Sequence, residues 1–182
     1  MFKSEEQWLQ GARELNEEAL ALIYDAFSTA LYRYAFRLLG NREAAEDIVA
    51  ETFYRFLRSI GSGGGPESHL KAYLYRVAHN LIVDRFRRNM PVELSLDPNS
   101  ITLHSSSDDP ARKVEVSDEQ AEMRRNLWKL SADQRQVIVL KFFEGLSNHE
   151  VAEVLGKPEG AVKSLQHRGL NTLRRILASS EK

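Results

Sequence analysis

An all-α chain is the fold class the sequence predicts: two small helical domains, a helical bundle and a helix-turn-helix, joined by a flexible linker. Three observations predict it. Apolar residues recur at helical spacing in both flanks, and no stretch shows sustained strand alternation. Glycines and capping residues punctuate those runs where helices end and begin. Between the flanks, Pro91 to Val116 holds three of the five prolines, the Ser105-Ser106-Ser107 run and the Asp108-Asp109 pair, and no apolar period crosses it. So long a structureless stretch is better read as a domain boundary than as a loop inside one domain. The expected domains are 1–90 and 118–182, with 91–117 as the linker.

In the first flank, Leu15, Ala19, Leu22, Ile23, Ala26, Ala30, Leu31, Tyr34, Ala35 and Leu38 give a helical apolar stripe over 14–39, stopped by Gly40-Asn41. Asn41 is a good N-cap for a second helix, 42–58, with Glu43, Glu46 and Asp47 near its positive end. Gly61-Ser62-Gly63-Gly64-Gly65-Pro66 breaks the chain, and a third helix is expected over 67–88. In the second flank, Ser131-Ala132-Asp133-Gln134 and Ser147-Asn148-His149-Glu150 are capping boxes, each before a short apolar run that ends at Gly145 or Gly156. A longer helix follows Lys157-Pro158, over 159–177. Helix, short glycine turn, helix is the helix-turn-helix pattern.

Composition removes several function classes. No cysteine is present, which excludes a disulfide framework, a thiolate zinc site and a cysteine nucleophile. No apolar run approaches the ~18 residues of a membrane span, and Met1–Gln10 carries Glu5 and Glu6 in place of a signal sequence. The expectation is a cytoplasmic protein with no stable membrane contact of its own. A net charge of -1 argues against a nonspecific nucleic-acid coat but leaves room for local basic surfaces. Two stretches supply them. Lys71, Arg76, Arg85, Arg87 and Arg88 face one acid, Asp84; Lys157, Lys163, Arg168, Arg174 and Arg175 face one acid, Glu159. Either strip alone suits a phosphate contact or a solvated helix face.

The helix faces sharpen this. At about 100° per residue, Lys163, Ser164, His167, Arg168, Asn171, Arg174 and Arg175 share an arc of about 140° with no acid in it. Val162, Leu165, Gly169, Leu170, Leu173, Ile176 and Leu177 fall on the other side. An amphipathic surface helix usually mixes its charges, whereas a recognition helix in the major groove needs donors and cations on one face. On the 67–88 helix, Leu70, Leu74, Val77, Ala78, Leu81, Ile82 and Phe86 form the apolar arc. The arc opposite holds Tyr73, Arg76, His79, Asn80, Asp84 and Arg87. A ring among cations and amides suits stacking on single-stranded bases; Tyr73 equally fits as a rim residue of the core. On the 42–58 helix, Ala45, Ile48, Val49, Thr52, Phe53 and Phe56 face inward, and Glu46, Asp47, Ala50, Glu51, Tyr54 and Leu57 face outward. An acidic face with exposed apolar groups fits docking on a basic protein; it also fits a capped surface helix.

Ala45-Glu46-Asp47-Ile48-Val49-Ala50-Glu51-Thr52-Phe53, Tyr73-Leu74-Tyr75-Arg76-Val77-Ala78-His79-Asn80, Leu130-Ser131-Ala132-Asp133-Gln134-Arg135, Gly145-Leu146-Ser147-Asn148-His149-Glu150-Val151-Ala152 and Gly160-Ala161-Val162-Lys163-Ser164 occur in that order. Together they resemble the extracytoplasmic-function sigma factors of bacterial RNA polymerase, a group of the sigma-70 family. The resemblance implies a sigma-2 domain at 1–90 for polymerase binding and minus-ten melting, and a sigma-4 helix-turn-helix domain at 118–182 for the minus-thirty-five element. It implies that Glu46, Asp47, Glu51 and Tyr54 meet core RNA polymerase, whose clamp helices and flap are the docking sites. Tyr73, Arg76, His79, Asn80 and Arg87, with the Gly61–His69 loop, would read the minus-ten element and accept a flipped base; unstacking costs roughly a few kcal/mol, so new contacts must supply it. Lys163, Ser164, His167, Arg168 and Asn171 would read the minus-thirty-five element. The linker would thread toward the polymerase active-site and RNA-exit path, its acidity mimicking nucleic acid. Promoter DNA and an anti-sigma factor are the further partners implied, and no cofactor.

This chain departs from the family at Ala50, where glutamine is common, and in a loop unusually rich in glycine. Two other classes compete. A repressor or activator would use the helix-turn-helix alone, usually as a dimer, and would pair it with a ligand-binding or receiver domain; the helical first flank does not read as one. An enzyme would need a catalytic constellation. The histidines are scattered, His149-Glu150 lacks the second histidine of a zinc helix, and Gly61–Pro66 fails as a dinucleotide loop because no strand precedes it.

Overall fold

The computed structural model describes residues 4–89 and 118–180. The expected linker, 91–117, lies outside the described residues. The chain falls into two compact units; α1 to α3 and most of α4 make up most of the first, and α5 to α8, less the last turn of α7, most of the second.

The first unit contains α1 (Glu5–Arg13), α2 (Glu17–Leu39), α3 (Arg42–Gly61) and α4 (Leu70–Asn89). Side-chain caps set three of the starts. Ser4 Oγ accepts from the Gln7 N–H, Asn16 Oδ1 from Ala19 and Asn41 Oδ1 from Ala44. Gly40, at φ 69°, ends α2 and donates its N–H to the Phe36 carbonyl at 2.8 Å. Helix α1 was not among the expected elements. The expected 14–39 helix is also cut short at its start: Leu15 adopts φ 54°, a left-handed turn between α1 and α2. The α4 start moves from 67 to Leu70, because buried Pro66 and His69 at φ 54° hold the chain outside helical geometry until then. The core is Ile23, Leu31, Tyr34 and Leu38 of α2, Ile48 and Phe56 of α3, and Leu70, Leu74, Tyr75 and Ile82 of α4, with Leu9 and Ala12 of α1 closing it. Each large side chain so buried contributes roughly 1.5–3 kcal/mol.

The second unit contains α5 (Asp118–Trp128), α6 (Ala132–Ile138), which runs on as a π segment over Val139–Phe143, α7 (Asn148–Leu155) and α8 (Glu159–Ser180). Helix α5 is a second element the apolar spacing did not announce. The Ser147–Glu150 box forms in both directions: the Glu150 N–H donates to Ser147 Oγ at 3.2 Å, and the Ser147 N–H to Glu150 Oε2 at 2.7 Å. Gly145 at φ 69° and Gly156 at φ 61° make the turns on either side of α7. Pro158 then opens α8 by accepting from Ala161 and Val162. Val137, Ile138, Val139, Leu140, Leu146, Val151 and Val162 form the core.

Helices α6 and α8 pack closely, and one residue sets how closely. A Cβ at Gly169 would lie 3.0 Å from Ile138 Cγ1 and 3.3 Å from Ile138 Cδ1. Replacing Gly169 by leucine therefore forces the two helices apart. We expect Gly169→Leu to destabilise this unit by about 2 kcal/mol, read as a lower urea midpoint of the full chain by Trp128 fluorescence.

Candidate nucleic-acid interface

The most complete candidate surface lies on α8. Lys163, Ser164, His167, Arg168, Asn171, Arg174 and Arg175 are all exposed, while Val162, Leu165 and Gly169 behind them are buried. Leu170, Leu173 and Ile176 are half-buried, and Leu177 is 52% exposed, so the packed side weakens toward the C-terminus. The polar side chains of this face already hold one another. Asn171 Nδ2 lies 3.0 Å from His167 Nε2, and Arg174 donates to Asn171 Oδ1 at 3.1 Å. Ser164 Oγ donates to the Gly160 carbonyl at 2.9 Å, and Arg168 Nε donates to the Ser164 carbonyl at 3.3 Å. Such bonds limit rotamer freedom before any ligand arrives. Glu159 borders the face, 4.0 Å from Lys163, but both groups are exposed and the pairing is weak.

The scaffold behind α8 includes a buried cation. Arg135 of α6 is 3% exposed, with its guanidinium 4.1 Å from the centre of the Trp128 ring and Nη2 donating to the Leu130 carbonyl at 3.2 Å. Its Nε and Nη1 have no hydrogen-bond partner among the described residues. Burial lowers its pKa to about 10, so it remains charged at neutral pH. The aromatic face offsets part of the cost of desolvation, and the arginine ties α5 to the start of α6.

On α4, Arg76, Asn80 and Arg87 are exposed and Tyr73 is half-buried. The Arg76 guanidinium lies 5.6 Å from the Tyr73 ring centre, and Phe56 meets that ring edge-on at 6.2 Å. Tyr73 is thus both a rim residue of the core and a partly open ring beside a cation. His79 corrects the expected face. It is 6% exposed, and its Nδ1 lies 3.0 Å from Tyr34 Oη inside the unit. A ring so placed meets no base unless α2 and α4 separate.

On α3, Glu46, Asp47 and Tyr54 are exposed and Glu51 is half-buried, while Tyr54 and Leu57 show 59% and 42% of their surface. Each acid has an arginine beside it: Arg42 at 2.9 Å from Glu46, Arg55 at 2.8 Å from Glu51 and Arg85 at 3.6 Å from Asp47. Solvent-exposed pairs of this kind are worth about 0–1 kcal/mol, so an incoming cation can replace the internal one at little cost.

Comparison with known proteins matches these two units to two family models, sigma-70 region 2 over residues 23–91 and sigma-70 region 4 over residues 127–175. The chain is 33% identical over 174 residues to the ECF RNA polymerase sigma factor SigW of Bacillus subtilis, covering 89% of this chain and 90% of SigW. The chain belongs to the ECF sigma factors. A sigma factor is a transcription initiation factor, not a catalyst. It is also 35% identical over 165 residues to the ECF sigma factor BldN of Streptomyces coelicolor, covering 88% of this chain; it spans 61% of BldN's length. Among solved structures, the sigma factor RpoE of Bartonella quintana, in complex with the anti-sigma factor NepR, superposes with a TM-score of 0.68 at 26% identity, covering 87% of this chain and 96% of that one. No helix among the described residues of this sigma factor is long and apolar enough to cross a membrane. Helix α1 lies before the region 2 match and α5 almost wholly before the region 4 match.

Proposed function

We propose that this sigma factor is a dissociable promoter-specificity subunit that binds bacterial core RNA polymerase in the cytoplasm and directs it to two promoter elements. The observation that carries the reading is the α8 face: cations and hydrogen-bond donors from Lys163 to Arg175, all exposed and without an acid among them, on a helix anchored from behind. That arrangement suits the major groove of a minus-thirty-five element, where Lys163 and Arg168 hold phosphates or guanine edges and Ser164, His167 and Asn171 offer shorter contacts. The Gly61–His69 loop, with Tyr73, Arg76, Asn80 and Arg87, would read the minus-ten element on the separated strand. His79 leaves that set because it is buried.

Polymerase docking is assigned to α3 through Glu46, Asp47, Glu51 and Tyr54, with the clamp helices supplying the cations and the flap holding the second unit. Residues 1–90 serve as the sigma-2 domain, 118–182 as the sigma-4 domain and 91–117 as the tether. Two weak modules on one tether gain by effective concentration, so neither needs to hold DNA well alone. By likeness to RpoE, an anti-sigma protein covering the α3 or α8 face would keep the subunit inactive.

Run-off transcription with core polymerase tests the whole reading; absence of any transcript on a genomic template library rejects it. Lys163→Ala or Arg168→Ala should weaken minus-thirty-five recognition about 10-fold, as loss of one base or phosphate contact does, with unchanged affinity for core polymerase by fluorescence anisotropy. Reversing charge at Asp47 and Glu51 together should abolish co-elution with core polymerase on gel filtration, while the variant's own melting curve stays in place.

A further inference from the structure

The Gly61–His69 loop is held in one shape by few bonds. Gly63 and Gly65 have φ of 79° and 90°, and His69, a non-glycine, has φ 54°. At the start of the loop, the Gly63 N–H donates to the Ile60 carbonyl and the Gly64 N–H to the Ser59 carbonyl, each at 2.9 Å. At its end, the His69 carbonyl accepts from the Tyr73 N–H at 3.0 Å and opens α4. A glycine-rich stretch loses more conformational entropy on ordering than any other, so the residues between these ends need a tether. Among the described residues, the hydrogen bond that supplies it comes from far away in sequence: Arg13 Nη2, in the last turn of α1, donates to the Pro66 carbonyl at 2.8 Å. Pro66 is itself buried, and a Cβ at Gly65 would lie 3.0 Å from Ile60 Cδ1, so the loop is seated on α3 as well as tied to α1.

We propose that Arg13 is a positioning residue for the minus-ten reader, fixing the Pro66 carbonyl so that the loop stands ready to accept an unstacked base. The inference rests on the assignment of that loop to the minus-ten element. Its chemistry is simple. Arginine is always charged and a charge-assisted bond to a carbonyl is stronger than a neutral one. The loop then need not be ordered when the base arrives, and the binding free energy of that base goes into unstacking it. The α1 segment precedes the part of the chain that the region 2 model covers.

The test uses the full chain assembled with core polymerase on a promoter that the parent transcribes, with 2-aminopurine in the minus-ten element reporting base unstacking. Each minus-ten base is replaced in turn. Arg13→Ala should slow unstacking about fivefold on the preferred sequence, the weight of one hydrogen bond, and shrink the preference over substituted bases by a similar factor. Affinity for core polymerase should not move, and the melting temperature should fall by no more than the loss of one hydrogen bond accounts for. Arg13→Lys, which keeps the charge and a donor, should restore part of the preference. An unchanged base preference in Arg13→Ala overturns the proposal. So does an equal loss on every template, which would mean direct DNA contact or general destabilisation. A parent protein that initiates on no template rejects the functional reading itself, and the brace with it.

Discussion

The second unit depends on how closely α8 lies against α6. A helix can turn a row of cations outward only if its other side is fixed, and here that side is anchored by Val162, Leu165 and the bare backbone at Gly169, with Ile138 set against it. Glycine in a helix interior costs about 1 kcal/mol relative to alanine. The close approach offsets this by letting two helices pack along their ridges without a side chain between them. The turn at Gly156 and Pro158 sets where α8 starts, and the doubly bonded cap at Ser147 and Glu150 sets where α7 starts. Orientation of the exposed donors is therefore decided by backbone geometry on the hidden side of the helix.

The first unit meets the same demand with polar atoms placed inside it. Tyr34 and His79 satisfy one another between α2 and α4, and Thr52 donates to the Ile48 carbonyl at 2.6 Å within α3. Buried polar groups that find partners fix one packing among several of similar apolar content, because any alternative leaves them unpaired. Tyr75 meets Tyr34 edge-on at 5.3 Å, so the hydrogen-bonded pair is also wedged by an aromatic contact. The exposed acids of α3 and the ring of Tyr73 stand on this frame.

Much of this was legible in the residues. The apolar period of α2, α3, α4 and α8 was long enough to assign those helices, and the glycine and capping signals placed most of their ends to within a turn. Helices α1 and α5 were missed for a physical reason. Stretches such as Glu5–Arg13 and Asp118–Trp128 carry few apolar residues, and their stability comes from packing against other helices, α2 for one and α8 for the other. The break at Leu15 falls on a leucine, which does not advertise a left-handed turn, and its one signal, Asn16 before Glu17-Glu18, was overridden by the continuous apolar stripe. His79 lay at the margin of its helix, about 20° from Phe86 on the wheel, and its polarity assigned it outward; a phenol on the facing helix drew it in. The α8 face was read residue by residue because exposure there follows from period alone, whereas the bond from Arg13 to Pro66 joins residues 53 positions apart and no local pattern encodes it.

The cations of α8 carry one more consequence. On duplex DNA, each phosphate neutralised by Lys163, Arg168, Arg174 or Arg175 releases condensed counterions, and the association constant falls with ionic strength by a power of about 0.9 per phosphate. Four such contacts would amount to a loss of roughly 150-fold between 50 and 200 mM monovalent ion. In the proposed docking, such a helix would hold its groove firmly in dilute buffer and let go near physiological ionic strength, so the time it spends on any stretch of genome would be set by whatever carries it there.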